Sequence, residues 1–303
     1  MDRFQAIRTF VAVVEQGSFA RAADRLDQSV SSVSRQVAEL ETHLDARLLN
    51  RTTRRLSLTE AGRAFHERSV QLLADLDEAE QAASGGAATP RGTLKLTCPI
   101  TYGVRVLAPL VGSFAARYPD LRLDVELSDR AVDLVDEGFD LAVRIGAIRN
   151  PTLVARRIGE TRLVCCAAPA YLAGRGTPAS PEDLARHACL TYEYAPVRSQ
   201  WRFVDAQGRE RIAKVGGPIH ANNGRMLTAL AVEGAGITFE PDFIVEPEIA
   251  AGRLVAILAD YTPPAIPIHA AYPSRRHLSA KVRAFIDHLV SATAGPAASS
   301  AAP

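Results

Sequence analysis

Residues 17–41, GSFARAADRLDQSVSSVSRQVAELE, decide how the chain is read, because they write two short amphipathic helices joined by a tight turn. In the first, Phe19, Ala22, Ala23 and Leu26 fall at i, i+3, i+4 and i+7, one apolar stripe behind an N-cap at Ser18. In the second, Val30, Val33, Val37 and Leu40 form the buried stripe, while Ser31, Ser32, Ser34, Arg35 and Gln36 fill the rest of the first turns. Short hydroxyls and a long guanidinium are groups that a recognition helix uses on base edges and phosphates. Serines near a helix start are often only caps, so the segment alone leaves a generic helix pair open beside a helix-turn-helix.

The flanks decide for the helix-turn-helix. Residues 4–14 supply another helix, with Phe4, Ile7, Phe10, Val11 and Val14 on one side and Gly17 closing it, so three helices can share one core. After Leu44, LLNRTTRRLSLT reads as a two-stranded hairpin over about 48–58, which makes the unit a winged helix-turn-helix. Ala46 to Thr59 carries four arginines and no acid, whereas Glu60 to Glu80 carries six acids and two arginines. The basic patch therefore follows the helix pair directly, although the net charge of the chain is only +1. Arginines at the hairpin tip are placed to meet phosphates or the minor groove; a solvated charged hairpin is the plainer alternative.

From Thr59, a proline-free helical stretch runs to about Ala83. Ala61, Phe65, Leu72, Leu76, Ala79 and Ala83 recur on it at spacings of three, four or seven, which suits pairing with a second copy of itself. The run SGGAATPRG at 84–92 is the clearest linker. Beyond it the pattern turns to α/β: strands at 94–98 and 122–128 and in DLAVRIG, helices over about 103–118 and in AVDLVDEG, and the expectation of a mostly parallel sheet. A second α/β unit begins near Leu163 with LVCCAA and includes a helix over about 223–233 and the strand GITF; the last helix covers about 279–290. The domain reading is 1–58 winged helix-turn-helix, 59–84 dimerising helix, 85–92 hinge, 93–290 two-lobed domain and 291–303 disordered tail.

Composition narrows the function classes. At 47% hydrophobic and 23% charged over 303 residues, the chain can bury more than one core. No run approaches the roughly 18 apolar residues that span a bilayer, and MDRFQAIRTF is no export signal, so a cytoplasmic location without membrane contact is expected. Cys98, Cys165, Cys166 and Cys189 show no metal-ligand spacing, and neither metal nor cofactor is expected. There is no GxSxG, P-loop, HExxH or GxGxxG after a strand, so an enzyme is the weakest reading.

Over essentially its whole length the chain resembles the LysR-type transcriptional regulators. FVAVVEQGSFARAADRL, VSRQVAELE, LDARLLNRTTRRLSLTEAG, GTLKLTCP, FAARYPDLRLDVELSDR and VEGAGITFEPDF carry the resemblance, and NRTTRRLSLTEAG with EGFDLAVRIG is similar to the CrgA-like branch. The resemblance implies an N-terminal all-α winged helix-turn-helix and an α/β effector domain of two lobes like a type 2 periplasmic binding protein. It implies homodimers or homotetramers on double-stranded DNA, a small-molecule effector, and RNA polymerase as a further partner. DNA contacts would then fall on Ser31, Ser32, Ser34, Arg35 and Gln36 and, in the wing, on Arg51, Thr53 and Arg54; dimer contacts would fall on Phe65, Leu72, Leu76 and Ala79. Val30 departs from the proline or glutamine common there; it cannot hydrogen-bond a base, though its methyls suit a thymine methyl.

In such a two-lobed fold the ligand lies in the cleft, where helices starting after Thr101 and Asn222 would aim free N–H groups. A carboxylate effector is expected on Thr101, Tyr102 and Gly103 from one lobe and Asn222 and Asn223 from the other, with Ser128, Arg144, Gly146 and Trp201 completing the lining. Arg144 paired with a carboxylate, Trp201 as ordinary core and Asn222 as a mere cap are the plainer alternatives. A cysteine-based redox regulator is the rival function. Cys98 near the cleft is its best candidate, since Cys165 and Cys166 are adjacent in a strand and point to opposite faces.

Overall fold

In the computed structural model, which describes residues 2–51, 56–83, 89–148, 150–273 and 278–293, helix α1 (Arg3–Gln16) starts where Asp2 accepts the Phe4 and Gln5 N–H groups. It stops at Gly17, whose φ of 60° suits a residue without Cβ. Ser18 caps α2 (Phe19–Leu26) and Ser29 caps α3 (Val30–Leu44). Both helices end on an aspartate in the left-handed region, Asp27 and Asp45, a conformation that short polar side chains tolerate. Strands β1 (Leu49–Arg51) and β2 (Leu56–Leu58) pair antiparallel, with Leu49 opposite Leu58. The hairpin tip, with the expected contacts Thr53 and Arg54, lies outside the described residues.

Thr59 opens α4 (Glu60–Ala83) by accepting the Gly62 N–H on its hydroxyl at 2.9 Å. A Cβ on Gly62 would lie 1.9 Å from the Leu48 carbonyl oxygen, so only glycine lets this helix meet the start of the hairpin backbone to backbone. Phe10, Val13, Ala22, Val33, Val37, Leu40, Leu48 and Leu49 form one core, completed by Phe65, Val70 and Leu73 of α4. Two expectations fail here. Phe4 and Val30 are each 48% exposed: both sit at helix starts and project past the core instead of into it.

The chain divides into units Met1–Thr93 and Leu94–Pro303. The second unit begins with β3 (Gly92–Cys98), then α5 (Ile100–Tyr102), which continues through a π turn at Gly103–Leu107 into α6 (Ala108–Arg117). β4 (Leu121–Leu127), β5 (Leu141–Ile145), β6 (Leu153–Thr161) and β7 (Leu163–Ala167) follow. Then come α7 (Pro169–Arg175), β8 (Thr191–Tyr192), β9 (Gln200–Val204), β10 (Glu210–Lys214) and β11 (His220–Ala221). The chain closes with α8 (Gly224–Val232), β12 (Thr238–Pro241), α9 (Asp242–Ala250), β13 (Val255–Ala256), β14 (Ile266–Pro273) and α10 (Ala280–Thr293).

One lobe is built on the sheet β4-β3-β5-β14-β6, the other on β12-β7-β13 with its flanking strand pairs. The large sheet is mixed and not mostly parallel: β3 runs parallel to β5, but β14 returns late in the chain and pairs antiparallel with both β5 and β6. Each lobe has its own apolar core, one around Leu94, Leu96, Phe114, Leu141 and Phe285, the other around Cys165, Cys166, Phe203, Leu227 and Ile237.

The AVDLVDEG segment is a turn and not a helix. Asp133 accepts the Val135 and Asp136 N–H groups, and Arg130 clamps Glu137 at 2.8 and 2.5 Å, side-chain bonds that compete with the helical ladder. The helical run of the first lobe starts at Ile100, not near Gly103, and α10 extends to Thr293, three residues into the expected tail; residues 294–303 lie outside the described residues.

Candidate functional site

Within the first unit, α3 presents its N-terminal turns outward, but not all five expected readers are free to read. Gln36 accepts the Thr9 hydroxyl at 2.5 Å and donates to Gln28 at 3.1 Å and Ser32 at 3.3 Å, while the Ser32 hydroxyl lies 3.4 Å from Gln28. Gln36 and Ser32 therefore bind α3 to α1 and to the turn before it. Val30 and Ser31 are exposed, Ser34 is half-buried, and the Arg35 side chain is 74% exposed with Glu39 only at 3.9 Å. An exposed pair of that length leaves the guanidinium available for another acceptor.

Glu41, in the last turn of α3, was not singled out by its sequence pattern. Its Oε1 accepts the Leu48 and Leu49 N–H groups at 2.8 and 3.0 Å, which ties the end of the recognition helix to the hairpin. Arg51 ends β1, and its side chain, like that of Ala79, lies outside the described residues. On α4, the Phe65 ring lies tilted against Phe10 at 5.7 Å and packs on the unit's own core, where a dimer contact was expected; Leu72 is 46% exposed and Leu76 half-buried.

If Arg35 reads a guanine edge, Arg35→Ala should cost about 1–3 kcal/mol of operator affinity and relax base preference at one position. Binding assays over a set of single-base operator variants check this; an equal loss on every variant would reduce Arg35 to a phosphate contact.

Within the second unit, the structure gathers most of the expected cleft residues about a carboxylate the sequence reading passed over. Asp129 accepts the Ile100 N–H on one oxygen and the Asn223 amide on the other, each at 3.0 Å. Ile100 starts the helical run of one lobe; Asn223 caps α8 of the other and accepts the Met226 N–H at 3.1 Å. An acid of the chain itself thus takes the first N–H of one helical run and the cap side chain of the other. The Gly103 N–H is also used, closing the first turn on Pro99 at 2.8 Å. The Thr101 and Tyr102 N–H groups are left without a partner among the described residues.

Tyr102 is buried and packs edge-on against Phe243 of α9 at 5.4 Å, joining the lobes by apolar contact. A Cβ on Gly103 would stand 2.8 Å from the Cys98 sulfur and 2.5 Å from Leu127, which fixes a glycine in the π turn. Ser128 holds the Cys98 carbonyl with its N–H at 2.9 Å.

Arg144, on β5, is half-buried; it donates to the Val143 carbonyl at 3.0 Å and lies 3.4 Å from the Thr97 hydroxyl, and no carboxylate pairs with it among the described residues. Burial pulls its pKa down, and Cys98 and Asp129 push it back up. Burial also raises the Cys98 thiol to about 12, against the pull of Arg144.

The remaining expected residues have other contacts. Trp201 is 7% exposed and stacked on Phe239 at 5.0 Å, inside the core of the second lobe. Gly146 is tied to the Pro267 carbonyl and to His269, and Asn222 is exposed while Asn223 does the capping. A second acid, Glu240 near the end of β12, is 3% exposed. The strand GITF was expected to stop one residue before it, and the structure extends that strand to Pro241, which takes Glu240 inside.

A helix-turn-helix with a hairpin wing, followed by a two-lobed α/β domain whose polar groups converge between the lobes, defines a DNA-binding transcriptional regulator with an effector-type domain. Residues 4–63 match the bacterial regulatory helix-turn-helix protein of the lysR family and residues 87–294 match the LysR substrate binding domain, and the chain belongs to the LysR family. It is 37% identical over 287 residues to the transcriptional regulator CrgA of Neisseria meningitidis, covering 94% of this chain and 95% of that one. The solved CrgA structure superposes with a TM-score of 0.60 over 96% of this chain and 99% of CrgA. A transcriptional repressor of Pseudomonas aeruginosa is 38% identical over 95% of this chain and 91% of its own length. The transcriptional activator AaeR of Escherichia coli is 34% identical over 95% and 93%. No described helix is long and apolar enough to cross a membrane.

Proposed function

We propose that this regulator binds a small carboxylate between its two lobes and thereby alters how a homodimer, or a dimer of dimers, holds two operator half-sites. The observation that carries the effector class is Arg144: a half-buried guanidinium with no carboxylate partner among the described residues, in the lobe that also leaves the Thr101 and Tyr102 N–H groups unpaired. Desolvated cations are ordinarily paired, and a ligand anion supplies what the chain does not. Asp129 limits the site by taking the Ile100 and Asn223 donors, so Arg144 and not the α8 terminus is the main anchor.

On the DNA side, Ser31, Ser34 and Arg35 read bases or phosphates, with Val30 as an apolar contact and Arg51, Thr53 and Arg54 in the wing. Leu72 and Leu76 with Ala79 form the self-pairing face of α4. The protein works by binding, in the cytoplasm, with RNA polymerase as the partner that its promoter contacts affect.

Calorimetric titration of the full chain with acetate, succinate and benzoate, each against its amide, tests the effector class. At least one acid should bind, its amide should not, and Arg144→Met should weaken it by about tenfold or more, the value of one charge-assisted bond. Equal binding of acid and amide would rule the reading out. The redox alternative has less support: all four cysteines are buried, and burial pushes Cys98, Cys166 and Cys189 up to about 12.

A further inference from the structure

We infer that Glu240 contacts the effector and does so as a hydrogen-bond donor, its carboxyl O–H donating to a ligand carboxylate whose charge is met by Arg144. The inference rests on the carboxylate-binding reading above and adds the second contact and its protonation state.

Four observations support it. Glu240 is 3% exposed, yet its carboxyl makes no hydrogen bond or ion pair with any described residue. It stands near the end of β12, opposite Val164 of β7 and two residues before α9 begins. Its Oε2 would stand 2.3 Å from a Cβ on Gly224, the first residue of α8, so the glycine is what gives this carboxyl room at the mouth of that helix. Across the lobes it faces Asp129, which anchors Ile100 and Asn223.

The groups facing Glu240 leave it little choice of state. Asp129 comes from the loop after β4, Tyr192 from β8, and Cys166 from the neighbouring β7, while Gly224 of α8 and, next to it, Ile244 of α9 add backbone and apolar atoms. Burial, and then the Asp129 charge, raise Glu240 to about 8. The Cys166 thiol is pushed up to about 12 and the Tyr192 phenol higher still, so both stay neutral across the range in which Glu240 titrates. A protonated carboxyl offers one O–H donor, which a carboxylate accepts and an ammonium cannot.

The sign of the pH dependence follows. An anion binds the protonated form, bound ligand holds the proton on, and affinity is therefore full below the Glu240 pKa and lost as the pH rises through it. A cationic ligand would show the reverse.

Benzoate and its cationic counterpart benzylamine are suitable probes, because Tyr102 and Phe243 offer aromatic surface between the lobes. Calorimetry on the full chain should find benzoate about tenfold weaker at pH 9 than at pH 7, the ratio of protonated fractions for a group titrating near 8. Glu240→Gln keeps a donor and should bind benzoate with no such slope, whereas Glu240→Leu should bind it weakly at both pH values. Circular dichroism and operator binding check that both variants fold.

Benzoate affinity equal at pH 7 and 9 in the wild type, or the wild-type slope surviving in Glu240→Gln, overturns the inference and leaves the carboxylate reading standing. Benzylamine binding that tightens with pH overturns it by making Glu240 a cation receptor. Wild-type protein that takes up none of the carboxylates at either pH fails the underlying reading, and the inference falls with it.

Discussion

Replacing Leu72 and Leu76 together by glutamate is expected to yield a chain that sediments as a monomer and binds its operator about 10²- to 10⁴-fold more weakly, the range that tethering a second binding module contributes. Helix α4 uses one side for its own unit: Phe65, Val70 and Leu73 pack against the core that contains Phe10. Leu72 and Leu76, four apart and so on a common face, are absent from that core, and Leu72 is 46% exposed in a helix rich in acids. Large aliphatic side chains left at the surface of a charged helix mark a contact surface more than they stabilise a monomer. Two buried carboxylates there would have no partner and would oppose pairing. Phe65→Ala should act differently, weakening the fold of the first unit before it affects association. An intact dimer at micromolar concentration in the double variant would mean that the copies meet elsewhere.

Phe10→Ala should destabilise the first unit by about 3–5 kcal/mol, the cost of emptying a fully buried phenylalanine site. Phe10 is 0% exposed and joins α1 to α4 through ring contacts with Phe65 at 5.7 Å and His66 at 6.1 Å. Such a loss is a large share of the roughly 5–15 kcal/mol that holds a domain together. The single tryptophan, Trp201, lies in the core of the second unit and reports on that unit alone, whereas helical circular dichroism reports on both. In urea, the variant should lose helical circular dichroism early while tryptophan fluorescence keeps the wild-type midpoint. If both signals move together, the two units unfold as one and the assignment of separate cores fails as a thermodynamic statement.

Caps and stripes were legible because they depend on neighbours within one turn: Ser18, Gly17 and Thr59 stand at helix ends as their residue types require, whereas the cap expected at Asn222 falls on Asn223. What the pattern could not carry is direction in three dimensions. Val30 continues the apolar spacing of α3, yet as its first residue it extends beyond the core. Gln36 and Ser32 share the polar face with Arg35, yet a rotation of one position turns them toward Thr9 and Gln28 and into structural bonds.

The cleft shows the same division. The strand ends and helix starts were readable one by one, but Asp129 meets Asn223 across 94 residues, and no local spacing announces such a pair. Glu240 fell just past the end of the expected strand GITF, and its isolation needed the folded lobe before it could be seen. Trp201 illustrates the converse, a residue type common in binding sites that here fills a core against Phe239.

The Glu41 carboxylate, which receives both Leu48 and Leu49 N–H groups, has a consequence for the DNA. With Gly62 pressed on the Leu48 carbonyl from the other side, the recognition helix and the base of the wing form a gauge of set span. A half-site whose groove and backbone do not match that span cannot be met by adjusting the protein at this joint. The duplex has to bend or narrow to fit, so part of the operator preference of this regulator is expected to be written in the stiffness of base steps it never touches.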